Sequence, residues 1–461
     1  MIIQNPNDPA GVPVVTPIAI THRASLVNIY EQTGKLQRPV AALILTAVAM
    51  LIYWPALMNQ FQYYWDDHWV VMNQYTEQGI TLRNLWGVLT EFYHGQYAPV
   101  NELSYMLLYA AFGYNPFWFH LTGVLVHLAN IWLLFYFMDR IQVIAGVAPL
   151  KARRIAFITS LLLAIHPFIV ESVAWVSASK IILYVLFYLI ALNLYLSYLS
   201  RPSRGKYWQV LLCFILSFGA KEQAVVFPVC LLLVDYVTGR SLKDKKVWRE
   251  KLPFFLLAFF FGILTIASQH AQGRELAESV DNKYPFYQNV VFAFYCLSEY
   301  LSKCFIPVKL LYLYPFPILP GEALPLRFWM YPAFILAGIV LLKDFWKQKW
   351  VFFGLLFFVI HIVITIHIIP TSRFTIIADR YVYLAATGAF FLMALLLEYA
   401  ATKSYRTWAF AAMMLYFIAL GMYTFQRVHV WYDSDTLKKE IRELVQLRNN
   451  QILKSKQVPE L

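Results

Sequence analysis

Two adjacent carboxylates, Asp66 and Asp67, follow the first long apolar run of the sequence, within the segment Tyr64–Trp69. Such a pair can hold a cation, or one member can act as a general base whose pKa its neighbour tunes. With His68 beside them, the two carboxylates could also coordinate a divalent ion such as Mg²⁺ or Mn²⁺. The plainer alternative is a solvated acidic turn without a chemical role. Asp66 and Asp67 are the predicted catalytic residues, and the metal is left open.

Further ionisable residues stand at the ends of later apolar runs: His166, Glu171, Lys180, Lys221, Glu222, Arg373, Asp379 and Arg380. Charge near hydrocarbon is costly, so such groups indicate a functional cavity unless they pair with one another. The structural alternative is that Lys221–Glu222 and Asp379–Arg380 are ion pairs that hold helix ends. Carboxylates could deprotonate a hydroxyl group, and cations could bind a phosphate leaving group. The segments around these residues contain no Gly-rich loop of the kind that binds the phosphates of a nucleotide. As a substrate, a polyprenyl-phosphate sugar therefore fits these residues better than a nucleotide sugar.

The composition places these residues in a membrane protein. Of 461 residues, 60% are hydrophobic and only 14% are charged, and the mean hydropathy is +0.55. An average soluble domain has about 25% charged residues, so water is not the main solvent of this chain. The net charge of +12 could suggest nucleic acid as a partner. However, the basic residues fall in short clusters between apolar runs, which argues against a nucleic-acid surface.

Apolar runs long enough to cross a bilayer predict an all-α polytopic protein with about eleven transmembrane helices. The predicted spans lie near residues 40–58, 116–138, 153–168, 178–199, 206–219, 222–238, 252–270, 327–343, 350–369, 377–400 and 406–425. The run 286–306 contains Glu299 and Lys303, and we interpret it as a re-entrant or interfacial helix. A twelfth span is the alternative for that run.

The distribution of Lys and Arg sets the predicted orientation, because cytoplasmic loops carry the excess of basic residues. With residues 1–39 as a cytoplasmic N-terminal segment, the inner segments hold about twice as many basic residues as the much longer outer loops. The transmembrane domain then covers 40–425, with long outer loops at 59–115 and 271–326 that carry interfacial helices. Residues 426–461 become an extracytoplasmic amphipathic tail. All the ionisable groups named above fall on the outer side.

At these residues the sequence resembles the GT-C class of integral membrane glycosyltransferases. The closest resemblance is to the membrane part of the tetratricopeptide-repeat transmembrane O-mannosyltransferases and their bacterial relatives. The matching stretches are Trp65–Asp67 with Asn73, Tyr97–Val100 with Leu103 and Ser104, Gly113–Pro116 with His120 and His127, His166–Trp175, Lys221 with Glu222, and Ala378–Tyr383. They run in order from about residue 61 to 385, and the block around His166 is the most specific.

The resemblance implies a GT-C fold and inverting transfer of a sugar from a polyprenyl-phosphate donor outside the cytoplasm. The role of base would fall on Asp66 or Asp67, and the donor phosphate would be held by Lys221 and Arg380. Charge and position alone add Lys180 and Arg373 to that phosphate site. The supporting cavity residues are predicted to be Tyr97, His166, Glu171, Glu222, Asp379 and Tyr381.

Three departures from the family pattern weaken inference about the acceptor. Ser177–Ile181 stands where an Arg-Lys-Asp run is expected, and Ala98 stands where Arg is common. Helical repeats that would follow in relatives are not found before Leu461. The predicted partners are therefore a lipid-linked sugar donor, membrane lipids and a glycan, lipid or protein acceptor, with no nucleic acid. We expect a bacterial inner membrane with a periplasmic site, and an endoplasmic reticulum membrane as the alternative.

Two other functions fit part of the sequence. A transporter or flippase for a charged or lipid-linked substrate would also place ionisable groups near hydrocarbon. Transporters more often show internal repeats and broken helices at the midplane, whereas the charges here lie at the ends of spans. A glycan polymerase or ligase would differ from the leading hypothesis mainly in its acceptor.

Overall fold

The chain is described here by a computed structural model that covers residues 37–271, 284–366, 375–440 and 442. Within these ranges the secondary structure is helical, and no β-strand is formed apart from two isolated bridges, Tyr93 with Gln96 and Tyr314 with Ile377. The predicted all-α class is therefore confirmed for this part of the chain.

Eighteen α-helices follow one another between residues 37 and 430 in the described part of the chain. They are α1 Gln37–Tyr53, α2 Asp67–Val70, α3 Gln74–Glu77, α4 Leu82–Thr90, α5 Pro99–Phe112, α6 Pro116–Ile144, α7 Pro149–Ile165, α8 Val170–Ala174, α9 Ser179–Ser200, α10 Arg204–Ala220, α11 Phe227–Val237, α12 Lys245–His270, α13 Phe286–Phe305, α14 Met330–Leu341, α15 Lys343–Trp346, α16 Lys349–Ile362, α17 Ala386–Ala400 and α18 Arg406–Val430.

Every predicted span contains one of these helices, but their lengths differ. Five are long and apolar enough to cross a membrane: Arg38–Met58, Pro116–Ile144, Val176–Ser200, Lys245–Gln269 and Arg406–Val430. A sixth crossing results if the bent pair Pro149–Ile165 and Pro167–Ala174 is one span. Among the described residues, Leu326–Leu341, Lys349–Thr365 and Ala386–Ala400 are shorter apolar helices. The total of eleven or twelve crossings thus stays a prediction.

The structure moves two predicted span ends, and both changes lie beside the predicted site. Helix α7 stops at Ile165, because the residue before a proline is pushed out of the helical region, and His166 is extended (φ −86°, ψ 126°). The chain bends by 62° there. The predicted span 377–400 starts too early, because α17 begins only at Ala386 and is preceded by the short 3-10 helix Asp379–Val382.

The segment between α7 and α9 is built of short helical turns that are enclosed by protein. Pro167–Ile169 and Val176–Ala178 are 3-10 turns on either side of α8. Every residue from 162 to 178 is buried. Irregular backbone at membrane depth is tolerated only where protein or a cavity surrounds it, and this segment meets that condition.

The segment 59–115, which we call the first outer loop after its predicted position, contains the helix α4. Thr81 begins it, because its hydroxyl group accepts the N–H of Asn84 at 3.2 Å and so satisfies one free donor of the first turn. Asn73 begins α3 in the same way and accepts from Tyr75 and Thr76. These caps set the direction of the loop that carries the carboxylate pair.

A glycine at the end of α10 brings the Lys221 region against this loop. A Cβ atom at Gly219 would lie 2.8 Å from Cγ2 of Val100, which is closer than real Cβ contacts. Val100 is in the first turn of α5. The missing side chain therefore lets the C-terminal end of α10 approach the first outer loop.

Candidate functional site

The two carboxylates of the predicted catalytic pair have different surroundings. Asp67 is fully buried and accepts four hydrogen bonds. One oxygen, Oδ2, accepts the N–H of Gln62 at 2.7 Å, and Oδ1 accepts from Trp175 Nε1 and the Ser177 N–H, each at 3.0 Å, and from the Ser177 hydroxyl. Burial raises the pKa of Asp67, and these donors oppose that rise. Both oxygens of Asp67 are thus engaged in holding the first outer loop on the 3-10 turn Val176–Ala178.

Asp66 is the more accessible carboxylate of the pair. It is half-buried, and its Oδ1 accepts a hydrogen bond from Trp69 Nε1 at 3.3 Å. Burial, followed by the neighbouring carboxylates of Asp66 and Glu171, raises the pKa of Tyr312 to about 12. Of the two aspartates, Asp66 is the one that an external hydroxyl group can reach.

Trp175 joins the carboxylate pair to the predicted cations. Its indole N–H donates to Asp67, while the guanidinium carbon of Arg380 lies 5.4 Å from the centre of its ring. Arg380 also lies 4.8 Å from the ring of Tyr381. A cation at this distance from an aromatic ring is attracted to the negative face of the ring. The predicted carboxylate and cation thus contact the same indole, one at its edge and the other at its face.

Arg380 is held in place from two directions. Its Nη1 donates to Oε1 of Glu171 at 2.5 Å, in an ion pair whose carboxylate is almost fully buried. Its backbone carbonyl accepts from the Ser172 hydroxyl at 3.3 Å. Both partners belong to α8, so the Asp379–Val382 turn is fastened to that helix. Glu171 is therefore a direct partner of Arg380.

Two other cations of the predicted phosphate site, Lys180 and Lys221, lie close to Arg380. Lys221 forms an ion pair with Glu222 at 2.8 Å, and its ammonium lies 6.0 Å from the ring centre of Tyr381. Lys180 donates to Gln96 Oε1 at 2.7 Å and lies within electrostatic range of Lys221 and Arg380. In the described part of the chain, no carboxylate comes within ion-pair distance of Lys180. We call Lys180, Lys221 and Arg380 the cation group.

Of the remaining predicted residues, Tyr381 lies near the cation group, whereas Asp379, His166 and Tyr97 form hydrogen bonds with other residues. Tyr381 contacts Arg380 and Lys221 directly. Asp379 is buried and accepts from the Tyr314 hydroxyl at 2.6 Å. His166 is also buried, and its Nδ1 accepts the Phe168 N–H at 3.3 Å. Tyr97 donates to the carbonyl of Leu89 at 2.9 Å, within the first outer loop.

One predicted residue and the predicted metal need separate mention. Arg373 lies outside the described residues. In the described ranges, no group of three or more His, Cys, Asp and Glu side chains is arranged to hold a metal ion. Asp67 in particular directs both oxygens at N–H and O–H donors. A divalent ion at Asp66 and Asp67 stays a prediction.

Two aromatic residues that sequence reasoning missed complete the surroundings of Trp175. Trp431 is fully buried and stacks on Trp175 with 5.2 Å between ring centres and 17° between planes. Its carbonyl accepts from Gln62 Nε2 at 2.9 Å, next to the Asp67 contact. Tyr312 packs edge-on against Trp65 and Trp431. No motif marks either residue, because stacking between distant parts of the chain leaves no local spacing.

The C-terminal segment is attached to the first outer loop. Residues 434–440 are helical, and Arg427 forms a buried ion pair with Glu440 at 2.6 Å. The hydroxyl of Ser434 accepts the N–H of Tyr64 at 3.3 Å, and the ammonium of Lys438 lies 4.0 Å from the ring centre of Tyr64. Of the predicted tail 426–461, residues 426–430 continue α18 and residues 434–440 form a further helix, while its amphipathic and extracytoplasmic character stays a prediction. The rest of the predicted helix, except 442, lies outside the described residues.

Comparison with known proteins gives one consistent result. The chain is similar to human protein O-mannosyl-transferase TMTC1, at 30% identity over 227 residues, which is 44% of this chain and 24% of that protein. It is 28% identical to human TMTC2 over 245 residues, or 48% of this chain and 28% of the relative. It is 28% identical to protein O-mannosyl-transferase Tmtc1 of Drosophila melanogaster over 213 residues, which is 43% of this chain and 23% of that protein.

The matched stretch spans only about a quarter of the length of these relatives. No protein-family model matches the chain, and no solved structure matches it. The apolar helices and these relatives together make the chain a multi-pass membrane protein. Over nearly half of its length the chain is thus a homologue of the protein O-mannosyltransferases, which confirms the predicted resemblance to that class of membrane glycosyltransferase.

Proposed function

We propose that this protein is a glycosyltransferase that moves a sugar from a polyprenyl-phosphate donor to an acceptor hydroxyl group on the extracytoplasmic side. The observation that carries the proposal is the position of Trp175. Its indole contacts Asp67 at one edge and Arg380 at one face, so the carboxylate pair and the cation group border one region. The similarity to protein O-mannosyltransferases supports a hexose as the transferred group.

The two halves of this region suit the two ends of the reaction. Asp66 would accept the proton of the acceptor hydroxyl as its oxygen attacks the anomeric carbon of the sugar. The bond from that carbon to the donor phosphate would break at the same time, and the electron pair would leave on the phosphate oxygen. Attack from the side opposite the phosphate inverts the anomeric configuration. Asp67 would position its neighbour without touching the substrate.

The cation group would stabilise the phosphate as negative charge develops on it. Among the described residues, two carboxylates form ion pairs with these three cations: Glu222 with Lys221, and Glu171 with Arg380. Lys180 is the member without an ion-pair partner in the described residues, and we propose it as a direct phosphate ligand. A cation aimed at developing charge in a water-poor site lowers the barrier more than it would in water.

The proposal carries over the wider organisation expected from the sequence. Residues 40–425 would form a GT-C transmembrane domain, with 59–115 and 271–326 as outer loops. The segments 1–39 and 426–461 would lie on the cytoplasmic and extracytoplasmic sides respectively. In that orientation the carboxylate pair and the cation group open towards the outer leaflet, where the phosphate of a polyprenyl lipid lies.

The direct test uses the purified full chain and a panel of polyprenyl-phosphate sugars with short hydroxyl-bearing acceptors. We expect loss of one lipid donor by mass spectrometry, release of the polyprenyl phosphate, and a product whose anomeric configuration by proton NMR is opposite to that of the donor. Nucleotide sugars should not be consumed. Consumption of a nucleotide sugar, or retention of configuration, would overturn the proposal.

Replacing Arg380 by Lys should weaken use of the donor. Lysine keeps the positive charge but loses the planar fork that lets one side chain hold Glu171 and a phosphate together. We expect the donor KM to rise by about tenfold to a hundredfold, with a smaller change in kcat. The matched control is Arg154→Lys, because Arg154 also forms an ion pair with a glutamate, Glu398, away from the site. Equal effects of the two changes on KM would contradict the assignment.

A further inference from the structure

A cleft borders the first outer loop and reaches Lys180 of the cation group. We call it the loop cleft, and its lining includes Trp69, Tyr75, Tyr93, Gln96, Glu102 and Lys180. Trp69 also donates its indole N–H to Asp66. The cleft is thus lined by a proposed phosphate ligand and by the indole that binds the proposed base.

Its lining combines an aromatic side with a polar side. Tyr75 and Tyr93 meet edge to face at 5.5 Å, Tyr93 meets His94 at 4.4 Å, and His94 meets Trp69 at 5.0 Å. These contacts make a continuous row of rings. Glu102 adds a polar, acidic group to this aromatic lining. Its carboxylate accepts a hydrogen bond from Asn73 Nδ2 at 3.0 Å.

A sugar ring presents this same combination of surfaces. Its C–H groups form an apolar face that packs on aromatic rings, and its hydroxyl groups need acceptors and donors at the edge. A carboxylate can accept hydrogen bonds from two neighbouring hydroxyls, since each of its oxygens is an acceptor. Gln96 and Lys180 add a carboxamide and an ammonium on the polar side.

We infer that the loop cleft binds the hydroxyl edge of the transferred sugar, with Glu102 as the main hydrogen-bond acceptor and Tyr93 as a packing surface. The inference rests on the proposed function, because displacement places the sugar between the attacking hydroxyl and the leaving phosphate. A sugar in the loop cleft would lie beside Lys180 and beside Trp69, the residue whose indole binds Asp66, which is compatible with that requirement. Nothing in the family resemblance marks Glu102, which lies between the matched positions Val100 and Leu103.

The protonation of Glu102 is consistent with a hydroxyl-binding role. Burial, opposed by the Asn73 hydrogen bond and by the charge of Lys180, raises the pKa of Glu102 to about 7. A carboxyl group with such a pKa has lost part of its hydration, so ligand hydroxyls replace water at a lower cost. The other titratable groups around it are Tyr75, Tyr93, Glu91 and Lys180.

The test compares two ligands on the full chain in lipid nanodiscs: a short polyprenyl phosphate, and the same lipid carrying a mannosyl group. In the wild type we expect the mannosyl lipid to bind more tightly. Glu102→Gln should weaken binding of the mannosyl lipid by about tenfold and leave the bare phosphate lipid unchanged. Tyr93→Ala should act in the same direction, whereas Tyr93→Phe should resemble the wild type.

The matched control is Glu77→Gln, which changes an exposed carboxylate of the same loop that accepts from Tyr114. It should leave both affinities unchanged. If Glu102→Gln binds the two lipids with wild-type affinities, the inference is overturned even when the protein transfers sugar. If the selective loss is seen but no transfer occurs with any donor, the cleft binds sugar and only the proposed reaction fails.

Discussion

Asp66→Asn should lower kcat for sugar transfer by about a hundredfold to ten-thousandfold, the range expected when a general base is removed. Asparagine keeps an oxygen that can accept from Trp69 Nε1, so the loop should keep its shape. It cannot take a proton from the acceptor hydroxyl. The measurement is the initial rate with saturating donor and acceptor, together with the thermal midpoint of the purified protein.

The thermal midpoint and the donor affinity of Asp66→Asn should match those of the wild type, because within the described residues the half-buried side chain accepts one hydrogen bond, which asparagine can keep. Glu77→Gln, which alters an exposed carboxylate of the same loop, should keep full activity. A kcat for Asp66→Asn within about threefold of the wild type would show that another group is the base.

Asp67→Asn should destabilise the protein by about 3 kcal/mol or more, because a buried hydrogen-bonded charge is replaced by an amide. Four donors converge on Asp67, and an asparagine NH₂ group would face at least one of them. Two donors pointing at each other leave both unsatisfied. The free energy of unfolding in mixed micelles, followed by tryptophan fluorescence, measures the effect.

Ser177→Ala is the graded comparison, because it removes only the hydroxyl donor to Asp67 and leaves the Ser177 N–H in place. We expect it to cost about 1 kcal/mol. The two aspartates are then distinguished by their variants: we expect Asp66→Asn to be stable and inactive, and Asp67→Asn to be unstable. An Asp67→Asn protein with wild-type stability and no activity would instead assign the role of base to Asp67.

The contrast between these neighbours shows how far sequence reasoning could reach. The sequence places two identical side chains next to each other at the end of an apolar run, and their types permit either to be the base. Which of the two is enclosed depends on hydrogen bonds from Trp175 and Ser177, which lie more than a hundred positions away in the chain. Contacts of that kind have no local spacing from which they could be predicted.

The cations follow the same rule. Their positions at the ends of apolar runs predicted a shared outer site, since charge in hydrocarbon has few other reasons to persist. Of the two ion pairs, the sequence could predict only Lys221–Glu222, because its members are neighbours in the chain. The pair Arg380–Glu171 joins α8 to a distant turn and could not be predicted. Lys180 stands at a departure from the family pattern, yet it supplies a cation at the site.

The sequence by itself determined that this is a helical membrane protein and which side chains could do chemistry, because run length, composition and charge are properties of the local chain. Tertiary structure alone decided that Asp67 is enclosed while Asp66 is more accessible, that Trp431 stacks on Trp175, and that Glu102 and Lys180 line the same cleft. Burial and partners are created when distant segments pack. The same residue type can therefore be structural at one position and reactive at the next.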